Sequence, residues 1–96
     1  MGMFIERRLR RISRELVEAR EDLRVTDEQA LHFSEIADDT RLRSIVSDSP
    51  QDRVDNVDAQ QTSASMSRHR EDLVARIRKL ETDQDELLDQ LAAKRR

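Results

Sequence analysis

Ser47-Asp48-Ser49-Pro50-Gln51-Asp52 is the one stretch that tells this chain to stop a helix and start another. Proline suits the first position of a helix, where the N–H it lacks would have no partner. Ser49 then stands as the N-cap, and Asp52, three residues on, completes something close to a capping box. The chain holds one Pro and one Gly, and the Gly is at position 2, so nothing else interrupts it as firmly. The interruption falls at the middle of 96 residues and leaves two arms of matching length.

Outward from the turn, both arms carry the period of a coiled coil. In the first arm Ile5, Leu9, Ile12, Leu16, Ala19, Leu23, Thr26, Ala30, Phe33 and Ala37 follow one another at alternating spacings of four and three. Leu9, Leu16, Leu23, Ala30 and Ala37 take heptad position a; Ile5, Ile12, Ala19, Thr26 and Phe33 take d. In the second arm the same rhythm runs through Ala59, Ser63, Met66, Arg70, Leu73, Ile77, Leu80, Gln84, Leu87 and Leu91. Its far half is aliphatic, and its half near the turn is polar. The pattern predicts helix one over about 3–46, a turn over about 47–49 and helix two over about 50–94. The expected fold class is all-α: an antiparallel two-helix coiled-coil hairpin, one domain spanning 1–96, with dimerisation into a four-helix bundle as an extension. Val25-Thr26-Asp27-Glu28-Gln29 also reads as a capping box, and a break near Thr26 would give a three-helix bundle instead.

In an antiparallel pair a faces d, and one register satisfies both arms. Leu9 then meets Leu87, Leu16 meets Leu80, Leu23 meets Leu73, Ile5 meets Leu91 and Ala19 meets Ile77. This register centres on residue 48, inside the turn assigned on other grounds. The predicted seam is Ile5, Leu9, Ile12, Leu16, Leu23, Leu73, Ile77, Leu80, Leu87 and Leu91. The fold-back also sets Arg7, Arg8, Arg10, Arg11 and Arg14 against Asp83, Asp85, Glu86 and Asp89. It brings Glu18, Glu21, Asp22, Asp27 and Glu28 towards Arg68, Arg70, Arg76 and Arg78. Such flanking charges select direction and register rather than add much stability.

Composition narrows the function classes. Charged residues make up 41% and aromatic ones 2%, a vocabulary of long helices rather than strands. The net charge of −3 speaks against a generic nucleic-acid binder. There is no Cys, so disulfide and thiol chemistry are excluded, and a reducing compartment fits. No apolar run reaches the roughly 18 residues of a membrane span, and the start reads as neither a signal peptide nor a myristoylation site. The expected location is cytoplasmic.

No motif carries chemistry, and no cofactor is expected. His32 lies one helical turn from Glu28 and Glu35, but His32-x-x-Glu35 reverses the Glu-x-x-His order of ferritin-like metal sites and has no second copy. His69 stands between Arg68 and Arg70, which repel cations. Both histidines read as solvated. No nucleophile with a base, no phosphate loop and no zinc-ligand set is present. The sequence therefore predicts a non-enzymatic helical interaction, scaffold or adaptor module. Its partner is expected to be a second copy of itself or another helical protein.

Three groups of residues remain as candidates for contact with partners. Val17, Leu31 and Ile45 recur at position b, and Val74 and Leu88 fall at e, all outside the seam. They form the candidate partner surface, because a lone hairpin would leave them exposed. Asp48, Asp52, Asp55 and Asp58 form a candidate acidic tip, with Asp38 and Asp39 nearby. In architecture alone, a hairpin with an acidic tip resembles the transcript-cleavage and stringent-response factors that enter the secondary channel of RNA polymerase. That resemblance implies an alternative role as regulator of a nucleic-acid machine, polymerase or ribosome. Arg7, Arg8, Arg10, Arg11 and Arg14 with Lys94, Arg95 and Arg96 form a candidate basic end. Interleaved with Phe4, Ile5, Leu9 and Ile12, the arginines suggest a second alternative, a peripheral membrane adaptor.

Overall fold

The computed structural model describes residues 2–47 and 49–95. Asp48 and Arg96, named above for the tip and the basic end, lie outside the described residues. Two α-helices account for nearly all of the chain: α1 (Gly2–Ser47) and α2 (Pro50–Lys94). They pack against each other as an all-α helical hairpin, with no strand among the described residues.

α2 starts where the cap chemistry puts it. Ser49 Oγ accepts a hydrogen bond from the Asp52 N–H at 3.3 Å, and the Ser49 carbonyl accepts one from the Arg53 N–H at 3.1 Å. Pro50 takes the first helical position. The reciprocal half of the box differs from expectation. The Asp52 carboxylate accepts from the Ser47 hydroxyl instead of the Ser49 N–H, which lies 3.5 Å from Ser47 Oγ. Asp52 thus latches the last residue of α1 to the first turn of α2.

α1 runs unbroken through Thr26, which rules out the three-helix alternative. The physical reason is the seam. Thr26 sits at a d position and is only 3% exposed, so it is spent on packing rather than on capping. The Arg24–Glu28 ion pair, one turn apart, bridges the same point on the surface.

The chain divides into two compact units. The first, here the open-end unit, joins the part of α1 up to Leu23 with the part of α2 from Leu73 onward. Its interior is aliphatic. Ile5, Ile12, Leu16, Ala19, Ile77, Leu80 and Leu87 form one buried cluster, with Leu9, Leu23 and Leu91 partly buried against it. Leu73 is buried as well. All ten of the predicted seam residues are thus buried or partly buried. Each fully buried aliphatic side chain contributes about 1.5–3 kcal/mol.

The second, here the tip unit, spans Arg24–Asp72. Its buried residues are Thr26, Ala37 and Thr40. Ala30, Phe33, Asn56, Ala59, Ser63 and Met66 are half-buried along the same seam. The Thr40 hydroxyl donates to the Ala37 carbonyl of its own helix at 3.1 Å. Gln60 Nε2 donates to that same carbonyl across the pair at 3.0 Å, and to Asn56 Oδ1 at 3.1 Å. Hydrogen bonds and small residues thus do in this unit what leucines do in the other. No buried side-chain nitrogen or oxygen among the described residues lacks a partner.

Candidate functional site

The helix period decides which side chains are left for a partner. Positions a and d are consumed by the seam, e and g flank it, and b, c and f face away. In the tip unit those outward positions are heavily apolar. Leu31 is 63% exposed, Leu42 59%, Ile45 71% and Val46 85%. At 3.6 residues per turn these four fall within an arc of about 100° on α1. On α2, Val54 and Val57 stand one turn apart and are each more than half exposed. The unit is therefore inverted: its buried residues are two threonines and an alanine, no leucine, isoleucine or valine among the described residues is buried in it, and its exterior holds all three types.

Charge beside the α1 side chains is locally neutralised. Arg43 pairs with Asp39, and Arg41 lies 3.7 Å from Asp38. On α2, Gln51 donates to Asp55 at 2.9 Å. Over residues 38–43 the two signs are equal in number, whereas around Val54 and Val57 Asp52, Asp55 and Asp58 outnumber Arg53.

Of the predicted partner surface, Leu31 and Ile45 belong to this tip surface, whereas Val17, Val74 and Leu88 belong to the open-end unit. Val17 and Leu88 are exposed there. Val74 is half-buried, because position e lies on the flank of the seam and the neighbouring helix shields part of it. Leu42, Val46 and Val54 fall at f and c, and Val57 at b of a stretch of α2 that is otherwise polar, so none of the four stands out in the sequence. An apolar count at every outward position would have found them.

The acidic tip is less open than its sequence suggests. Asp52 is half-buried and bound to Ser47, and Asp55 is half-buried and bound to Gln51; only Asp58 of the described three is exposed. No group of three His, Cys, Asp or Glu residues among the described ones is arranged to hold a metal ion. His32 and His69 are exposed, with the His32 ring tilted at 59° against Phe33, centroids 5.6 Å apart.

The flanking charges pair in part. Arg70 pairs with Asp27, as the fold-back predicts, by turning outward from the a position that it nominally occupies opposite Thr26. Arg95 reaches Glu6 at 3.1 Å, both at e positions. The arginines of residues 7–14 depart from expectation: none of them is ion-paired to Asp83, Asp85, Glu86 or Asp89, and Asp83 instead pairs with Lys79 at 3.4 Å. Heptad geometry explains this. Arg7, Arg11 and Arg14 fall at f and c, and Asp85, Glu86 and Asp89 at b, c and f, so both sets face away from the seam. Phe4, Arg7, Arg8, Arg11 and Arg14 line an open groove along α1, in which Arg8 lies 6.0 Å from the centre of the Phe4 ring. Lys94 is exposed at the end of α2.

No helix among the described residues is long and apolar enough to cross a membrane. Comparison of the chain with models of known protein families, with curated proteins and with solved structures finds no match.

Proposed function

We propose that this chain is a non-enzymatic helical interaction module, and that its tip unit is the docking surface. The observation that carries the reading is the inversion of that unit. Leu31, Leu42, Ile45, Val46, Val54 and Val57 are exposed around an interior of Thr26, Ala37 and Thr40. A helix face that spends its aliphatic residues on solvent contributes nothing to its own hairpin and invites association. The first partner is a second copy. Asp38, Asp39, Arg41 and Arg43 carry both signs in equal number, so the surface does not repel itself as a single-sign patch would. A twofold contact, in which the same patch serves both copies, follows the usual rule for such assemblies.

Sedimentation equilibrium tests this directly. The wild type is expected to dimerise at micromolar concentration. Leu42→Lys with Ile45→Lys removes two apolar anchors, each worth about 1.5–3 kcal/mol when fully buried, and weakens dimerisation by more than about tenfold. The helical circular dichroism signal stays, because both positions are exposed in the single hairpin. A wild type that remains monomeric throughout rejects the second copy as partner.

A further inference from the structure

The open-end unit carries a run of exposed arginines that the module reading does not use. On α1, Arg7, Arg11 and Arg14 project from the outward positions, with Arg10 beside them. All four are exposed, and none is ion-paired among the described residues. At the same end of the helix Met3 is 68% exposed and Phe4 65% exposed. On α2, Asp85, Glu86 and Asp89 project from that helix's own outward positions. In an antiparallel pair the outward faces of the two helices point in opposite directions. The outward side of α1 over residues 3–14 is therefore basic with an apolar fringe, whereas the outward side of α2 carries both signs, Arg78 and Lys79 beside Asp85, Glu86 and Asp89.

We infer that the α1 side of the open-end unit lies on an anionic phospholipid surface. The pairing of features selects this occupant. Unpaired arginines alone would suit any polyanion. Met3 and Phe4 add nothing on a phosphate backbone unless bases are unstacked against the ring, and one aromatic residue is a poor stacking platform. At a bilayer the same two side chains enter the headgroup region while the arginines hold the lipid phosphates. The aliphatic side chains of this helix segment, Ile5, Leu9 and Ile12, are buried in the seam, so they supply no insertion. Contact is accordingly shallow, reversible and dominated by charge.

Co-sedimentation with vesicles tests the inference on the full chain. The wild type is expected to bind mixed phosphatidylcholine–phosphatidylserine vesicles at low ionic strength, to ignore pure phosphatidylcholine, and to be released by salt. Each arginine near an anionic surface is worth roughly fivefold in partitioning, so Arg7→Gln, Arg11→Gln and Arg14→Gln together lower binding by about 100-fold. Phe4→Gln lowers it several-fold further and leaves binding to a DNA duplex unchanged. The wild-type salt and lipid dependence stand as evidence even where a variant folds poorly. Absence of binding to the phosphatidylserine vesicles overturns the inference. So does tighter binding to the duplex that Phe4→Gln does not alter, which assigns the patch to a nucleic acid. Loss of self-association in the triple variant, without loss of vesicle binding, assigns it to acidic residues of a second copy.

Discussion

The open-end unit and the tip unit are built from the same two helices in the same heptad, yet they distribute their side chains in opposite ways. Near the termini the seam is Ile and Leu and the outward positions are charged. Near the turn the seam is mostly Thr, Ala, Ser and Asn, with Phe33 and Met66 half-buried among them, and the Leu, Ile and Val residues stand outside. A heptad therefore fixes which positions face inward without fixing what each position is used for. The open-end unit has the aliphatic interior; the tip unit has the exposed aliphatic surface on which the proposed docking role rests.

The largest expected effect of a single change lies in the open-end core. Leu16 is among the most deeply buried residues, and Leu16→Ala should cost about 2–5 kcal/mol in urea-induced unfolding. Thr40→Val, at a buried seam position of the tip, removes a hydroxyl that only bonds back to its own helix. It should change stability by no more than about 1 kcal/mol. Equal losses at the two sites would show that the units contribute equally, and the contrast would collapse. Ser49→Ala removes the α2 cap and should cost about 1 kcal/mol, felt first as fraying of the tip unit by circular dichroism. The smallest effect belongs to Arg70→Ala. Its pair with Asp27 is about half exposed, and exposed pairs are worth about 0–1 kcal/mol. A larger loss would mean that the Thr26–Arg70 layer, beside the division between the units, carries more of the seam than its chemistry implies.

Much of this architecture is legible in the sequence because the fold rests on one repeating spacing and one turn. Ser49-Pro50 set the restart of α2, and the ten aliphatics at a and d positions are buried or partly buried. Thr26 was ambiguous, because Thr-x-x-Gln is compatible with a cap as well as with a helix interior. The continuing seam on both sides decides it, and that contact is tertiary. The charge clusters misled for a different reason. Residues 7–14 and 82–89 oppose each other in sequence, yet only e and g positions reach across a seam, and the arginines stand mostly at f and c. The exposed side chains Leu42, Val46, Val54 and Val57 were visible as apolar residues but not as a group. Their meaning comes from the polar interior beside them, a property of the packed unit.

Amide hydrogen exchange followed over a range of protein concentrations tests the central claim most directly. In dilute protein, amides of residues 38–64 should exchange much faster than those of residues 9–23 and 73–87, because a core of Thr, Ala and Asn holds the tip closed more weakly. As concentration rises through the dimerisation range, protection should grow at the tip, centred on Leu42, Ile45, Val54 and Val57, and stay nearly constant in the open-end unit. Slow exchange at the tip that is the same at every concentration would contradict the account, since the unit would then be stable without any partner on its aliphatic surface.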